Sequence, residues 1–332
     1  MRKSSVKSVA PHIIMTTWNA LNYTKATVES LFRNTHSPYV LTIVDNGSTA
    51  DTVEYLNQLK PPFMCKELNV IYNPENLGYA RAAQIGYDSK KSEFSCIINN
   101  DVYFSENWLS KMVTIMEEDP SIGMLGPLRP APWCAYPYKS GFSTDDMIIN
   151  MPPKLKTVDD EVKHFCMGRE YDDFVKDVVK ANPFGIRYYS GPPIHIVAYC
   201  VLLRSSIIDE VGGLINPVFF AKGSNGTEDT DLSWRVSTAG YKLAITSSVY
   251  VHHFKHKSLD TNNVNRSLVF KVSNLLFYDY WKDTITNFFM SEKTKGVDID
   301  YLLNDETNYE YWFLRRLREN VGIEKFDKHI KR

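Results

Sequence analysis

From residue 10 to residue 126 short apolar runs alternate with stretches of helical spacing, and each apolar run ends in a polar cluster. That alternation predicts a parallel sheet covered by helices and excludes all-helical and all-strand folds. Strands are expected at His12 to Thr17, Val40 to Asp45, Leu68 to Asn73, Phe94 to Ile98 and Ile122 to Leu125. Helices are expected at Thr24 to Arg33, Thr52 to Leu59, Tyr79 to Lys90 and Trp108 to Glu118, with Asn22, Ser48 and Asn107 able to cap. In open α/β sheets ligands sit at the carboxyl ends of strands, so the clusters Thr17-Trp-Asn19, Asp45-Asn-Gly-Ser48, Asn73-Pro-Glu-Asn76 and Asn99-Asn-Asp101 should share one rim.

Proline and aromatic residues interrupt the rhythm between 127 and 193, which reads as an insertion or lid. Trp133, Tyr136, Tyr138, Phe142, Phe165 and Tyr171 within it could stack on sugar rings or fill a small core. Regular structure resumes with a strand at Ile194 to Leu203, helices at Ser206 to Val211 and near Asp229 to Ala239, and strands at Lys242 to Thr246 and Val249 to Phe254. From Arg266 onward the pattern is helical.

Across all 332 residues, 38 Lys and Arg face 39 Asp and Glu, so no global basic field favours a nucleic-acid partner. The C-terminal stretch is locally cationic, with Arg315, Arg316, Arg318, Lys325, Lys328, Lys331 and Arg332. Solvated helix faces and peripheral contact with anionic lipid or polymer are both open readings. The five cysteines are odd in number, and none forms a C-x-x-C pair. Neither a disulfide framework nor a zinc ribbon is expected. With no apolar leader and no long apolar run, the expectation is a cytoplasmic, non-spanning protein.

Five clusters can carry chemistry, and each also has a plain structural reading. Asp45 at a strand end can accept a hydrogen bond from a base N–H, with Gly47 turning the chain; it could equally be an ordinary Asp-x-Gly-Ser turn. Asn76-Leu-Gly78-Tyr-Ala-Arg81 opens a helix, where a guanidinium can reach phosphate, or is a helix cap followed by a surface arginine. Asn99-Asn100-Asp101 suits a hard cation such as Mg²⁺ or Mn²⁺ shared with substrate phosphates, or is an Asn-rich turn. Glu228-Asp229-Thr-Asp231 offers a carboxylate base beside a loop, or complements a helix dipole. In His252-His-Phe-Lys-His256 the first two rings point to opposite strand faces, so one histidine could join Asp101 at a metal, or the histidines are structural.

In order, Thr16-Thr-Trp-Asn19, Val44-Asp-Asn-Gly-Ser-Thr49, Asn76-x-Gly78-x-x-Arg81, Ile98-Asn-Asn-Asp-Val102, Glu228-Asp-x-Asp-Leu232 with Trp234-Arg235, and Val251-His-His253 resemble the family 2 inverting glycosyltransferases of GT-A fold. The resemblance spans residues 10 to 258 apart from the insertion. It implies an α/β, Rossmann-like, mostly parallel sheet with an insertion and a C-terminal helical extension. It further implies that Thr17 and Asn19 line a nucleotide pocket and Asp45 reads the base. Asn76, Gly78, Arg81, Asn99 and Asn100 then lie along the donor, Asp101 and His252 approach a Mn²⁺ or Mg²⁺ ion, and Asp229 acts as base with Glu228 beside it. Two departures stand out: Asn99 replaces the first carboxylate of D-x-D, and Ala198-Tyr199 is bulkier than the usual Gly-small pair.

The expected division is 1–258 for the GT-A domain and 259–332 for the helical extension. Within the first lie 10–126, which binds nucleotide, the insertion 127–193, and 194–258, which carries the acceptor and catalytic side. The expected partners are a nucleotide sugar, UDP before GDP or dTDP, and a carbohydrate, lipid-linked or protein acceptor; a homo-oligomer is left open. Two rival readings are a sugar-phosphate nucleotidyltransferase and a catalytically silent carbohydrate- or partner-binding module on the same fold.

Overall fold

The computed structural model describes residues 10–128, 155, 157–189, 191–218, 226–305 and 311–330. Nine strands among them form one sheet: β1 His12–Thr17, β2 Tyr39–Asp45, β3 Cys65–Tyr72, β4 Phe94–Asn99, β5 Val102–Phe104, β6 Ile122–Leu128, β7 Ile186–Tyr189, β8 Cys200–Arg204 and β9 Lys242–His253. The order is β3-β2-β1-β4-β8-β6-β9-β5, with β7 also on β9. The β3-β2-β1-β4 half is parallel, as the alternating pattern predicts. Beyond it the sheet is mixed, because β8 runs antiparallel between β4 and β6 while β6 and β9 are parallel.

Every residue of β1 and β2 is buried, as expected of strands covered on both faces. On one face lie helices α1 (Leu21–Asn34), α2 (Ala50–Asn57) and α4 (Trp108–Glu118), packing Val28, Leu31, Leu56, Trp108 and Met112 against Ile13, Met15 and Ile43. On the other lie α3 (Tyr79–Asp88), α7 (Ser205–Glu210) and α8 (Glu228–Thr238), through Ala83, Tyr87, Ile207, Leu232 and Val236.

Three segments depart from the sequence reading. The strand expected from Ile194 begins only at Cys200, where pairing with β4 starts. The strands expected at Lys242 to Thr246 and Val249 to Phe254 are one continuous β9. The short β5 and β7 gave no alternation long enough to read, and both exist by pairing with β9.

The insertion contributes α5 (Val158–Phe165) and α6 (Tyr171–Ala181), whose Val162, Phe165, Tyr171 and Phe174 pack on Tyr250 and Phe254. Phe165 and Tyr171 thus fill a small core, while Trp133, Tyr136, Tyr138 and Phe142 lie outside the described residues. After the short α9 (Lys257–Thr261), the tail forms α10 (Arg266–Thr294), α11 (Ile299–Asn304), α12 (Trp312–Val321) and α13 (Ile323–Ile330). These wrap Phe277, Trp281, Phe313, Leu317 and Phe326 around Trp234 of α8. Part of the tail's cationic charge is spent internally, because Arg318 forks onto Asp327 with two bonds of 2.7 Å and Lys325 lies 3.7 Å from Asp279. Among the described residues no helix is long and apolar enough to cross a membrane.

Candidate active site

The polar strand ends do share one rim. At the end of β1, Asn19 and Ala20 adopt left-handed φ values of 55° and 51°, which turn the chain sharply into α1. The Asn19 side chain then acts as a clamp: its Oδ1 accepts from the Thr49 amide at 2.7 Å, and its Nδ2 donates to Asn262 at 2.5 Å. Thr17 is likewise engaged, with its Oγ1 3.0 Å from that of Thr24 and 3.1 Å from Asn100 Nδ2. Both residues shape the rim, but their polar atoms are already held by protein partners.

Asp45 ends β2 and is buried. Its Oδ2 accepts from the Ser48 amide at 3.2 Å, whereas Oδ1 has no partner among the described residues. A buried acceptor without a donor is costly, so it marks a place where an incoming N–H would be favoured. The loops around it are locked by Asn46, which donates to Asn76 at 2.7 Å and accepts from Asn73 and Leu77. Asn76 also accepts from the Gly78 amide, so it serves as the turn that starts α3. Gly47 lies against this second loop at φ +78°, and a Cβ there would meet the Glu75 backbone at 2.7 Å. Gly47→Val should therefore cost on the order of 2–4 kcal/mol, combining left-handed strain with overpacking; a shift of less than about 0.5 kcal/mol in urea unfolding would contradict that close approach. Arg81, one turn into α3, is exposed.

Asn99-Asn100-Asp101 divides its labour. Asn100 is a buried hub that donates to Thr17, Thr24 and the Asn19 carbonyl, and accepts from Ser258 at 3.0 Å. Asp101 is also buried, yet its pKa lies below the usual value: burial would raise it, and the His253 ring and the Lys257 amide outweigh that. Asp101 Oδ1 lies 3.2 Å from His253 Nε2, and Oδ2 accepts from the Lys257 amide at 3.1 Å.

The expectation for His252 needs correction here. Pairing of β5 with β9 sets Val102 opposite His253 and Tyr103 opposite His252, so strand alternation turns His253 toward Asp101. His252 faces the insertion, stacked on Phe165 at 3.5 Å between ring centroids and bonded to the Tyr250 hydroxyl at 3.1 Å. The bulky Tyr199, noted as a departure from the family pattern, stacks on His253 at 4.9 Å and fixes that ring.

Glu228 and Asp229 open α8 at the same rim. The Tyr79 hydroxyl, which donates to the Ala198 carbonyl at 2.9 Å, has its pKa raised by burial first and then by the charges of Glu228, Asp229 and Asp101. All three carboxyl groups therefore act on one side chain of α3. Burial, then the Asp229 charge, pushes Glu228 up to about 7, and Glu228 accepts from the Gly226 amide. Folded protein thus holds this proton more tightly than unfolded chain. The resulting stabilisation is complete below the ordinary value of 4.5 and is lost as pH rises through about 7. Glu228→Gln should accordingly stabilise the fold more at pH 8 than at pH 5, by on the order of 1 kcal/mol after allowance for solvent screening; an equal change in urea unfolding at both pH values would refute the shift.

Asp231 does not belong to this group. It is buried, paired with Arg235 at 2.7 Å, and accepts from Asn216 at 3.1 Å and from the Trp281 indole at 2.9 Å. The last carboxylate of the Glu-Asp-x-Asp motif fastens the tail to α8.

Lys257, Ser258 and Asn262 contact the site from α9 and the residue that follows it, a contribution the sequence reading missed. Lys257 is held by Glu161 of α5 at 3.2 Å, which also accepts from the Tyr23 hydroxyl at 2.5 Å. The spacing of polar residues after His253 was the only available signal, and it does not specify a return to the rim.

A mixed sheet with polar loops at the parallel strand ends, and an acidic helix start on the same rim, is the arrangement of a GT-A fold. In agreement, TarS of S. aureus, residues 1–349 in complex with UDP-GlcNAc, superposes with a TM-score of 0.54 at 11% identity, covering 97% of this chain and 84% of that one. A mannosyltransferase from Pyrobaculum calidifontis, in complex with GDP-Man and Mn²⁺, gives 0.51 at 12% identity, covering 95% and 74%. Residues 12–173 match the sequence model of Glycosyl transferase family 2. An uncharacterized protein of Sinorhizobium fredii (strain NBRC 101917 / NGR234) is 26% identical over 250 residues, 74% of this chain and 24% of that protein. The chain spans 24% and 35% of the length of the first two curated relatives it matches.

Proposed function

We propose that the protein transfers a sugar from a nucleoside-diphosphate sugar to an acceptor hydroxyl, with inversion, in the making of a glycan, glycolipid or surface polymer. The observation that carries this reading is the unpartnered Asp45 Oδ1, buried on the same rim as Asp101, Glu228 and Asp229. An imide N–H such as the N3–H of uracil would meet that oxygen, which supports UDP ahead of the cytidine and adenosine nucleotides. Asp229 then removes the acceptor proton, the oxygen attacks the anomeric carbon, and the diphosphate leaves toward Arg81 and the α3 start.

The donor set fits a divalent ion. Asp101 supplies a carboxylate, Asn99 Oδ1 is buried without a partner among the described residues, and His253 offers its ring. The 3.2 Å between Asp101 Oδ1 and His253 Nε2 is close to the ~3 Å separating adjacent ligands of an octahedral ion with ~2.1 Å bonds. Mn²⁺ or Mg²⁺ held by Asp101, His253 and Asn99 would supply positive charge for the diphosphate. With one carboxylate, the site would depend on the diphosphate to complete it. The comparison proteins support the reading, since TarS was captured with UDP-GlcNAc and the mannosyltransferase with GDP-Man and Mn²⁺.

In this reading residues 1–258 form the transferase domain and 259–332 an extension. Cytoplasmic placement, with peripheral membrane contact through the tail, belongs to the same proposal. A screen of nucleotide sugars with Mn²⁺ or Mg²⁺, following diphosphate release with and without glycan acceptors, tests it. Release from one nucleotide sugar, even by slow hydrolysis, is the expected result. Pyrophosphate from a nucleoside triphosphate and a sugar phosphate would instead make it a nucleotidyltransferase, and no turnover of any donor would favour a silent binding module.

A further inference from the structure

The tail does more than pack on Trp234. Phe270, in the first turns of α10, touches the chain just before the Glu228 carboxyl, because a Cβ on Gly226 would meet its ring at 2.7 Å. On the same ring the Arg316 guanidinium of α12 stacks at 4.7 Å, and it lies 5.3 Å from the Trp312 ring. His256 approaches Phe270 from the Asp101 side, with ring centroids 6.2 Å apart. A planar cation on two aromatic faces thus stands one ring away from the loop that carries the proposed base.

Arg316 contrasts with its neighbour Arg318, whose charge is taken by Asp327. Among the described residues the Arg316 guanidinium makes no hydrogen bond or ion pair. It is partly buried, and burial draws its pKa below the ordinary arginine value, opposed only by the charge of Glu319. Stacking leaves the edge of the fork, with its N–H donors, for a planar anion, and a partly desolvated guanidinium gains most from such a partner.

We infer that Arg316, with Phe270 and Trp312, forms an acceptor subsite selecting sugars that carry an anionic substituent, a carboxylate or a phosphate. The inference rests on the glycosyltransferase reading for the word acceptor, but its test needs no donor. Binding of methyl β-D-glucuronide, methyl α-D-glucoside 6-phosphate and methyl β-D-glucoside to the full chain is measured by calorimetric titration, with UDP titrated in parallel. At least one anionic glycoside should bind about tenfold or more tightly than the neutral one, equivalent to about 1.4 kcal/mol. The preferred probe separates the carboxylate source from the phosphate source.

Arg316→Gln should remove the preference while UDP affinity and thermal midpoint stay unchanged. Arg316→Lys, which keeps charge but loses the planar fork, should retain a reduced preference and guards against misfolding of the first variant. Equal binding of charged and neutral glycosides, a preference that survives Arg316→Gln, or a loss of UDP affinity in its place would each overturn the assignment. Failure to turn over any nucleotide sugar would sink the transferase reading and leave this binding contrast standing on its own.

Discussion

Asp229→Asn should lower sugar transfer about 10²- to 10⁴-fold, the usual contribution of a general base, while leaving UDP affinity within twofold. The substitution is nearly isosteric. Among the described residues only Thr230 donates to the carboxylate, through its amide at 2.8 Å and more weakly through its hydroxyl at 3.5 Å, and an amide oxygen can accept both. Geometry is therefore preserved while basicity is lost, so the effect should fall on kcat with little change in the donor KM. Glu228 complicates the readout in a useful way. Its pKa of about 7 owes part of its elevation to the Asp229 charge, so Asp229→Asn should also lower it. Any residual activity should then depend on Glu228 and vanish in the double variant. Retention of more than half the wild-type rate by Asp229→Asn would show that the base lies elsewhere.

The sequence was most legible where one local signal sufficed. The apolar run Ile13–Met15 and the run Leu41–Val44, broken only by Thr42, read as buried strands, and their polar ends had to fall on one rim. The resemblance then attached roles to Asp45, Asp101 and Asp229, and those roles belong to the proposed function. What could not be read was set by pairing between distant segments. Alternation says that His252 and His253 face opposite ways, but the choice of face belongs to the register with Val102–Phe104, a strand too short to announce itself. The same limit hid the return of Lys257 and Ser258 to Asp101 and Asn100. It also concealed the difference between the two aspartates of the Glu-Asp-x-Asp motif, since the distinction is drawn by Trp281, fifty residues further along.

That distinction yields the largest expected effect on stability. Asp231→Ala removes the carboxylate that neutralises Arg235, whose guanidinium also donates to the carbonyls of Val211, Gly213 and Leu214 and is therefore fixed in place. The largely buried cation cannot swing out to water without giving up those bonds. Loss of the partner leaves it uncompensated, a change that typically costs about 3–5 kcal/mol. The Trp281 indole and the Asn216 amide lose an acceptor as well, which loosens α10 where it meets α8. Urea unfolding should show the full loss for Asp231→Ala, and pairing it with Arg235→Met should recover part of it, because the stranded charge is then absent. Recovery should remain incomplete, since neither Trp281 nor Asn216 regains its bond. A cost below about 1 kcal/mol would show that the pair is effectively solvated and that the tail is held by the aromatic cluster around Trp234 alone.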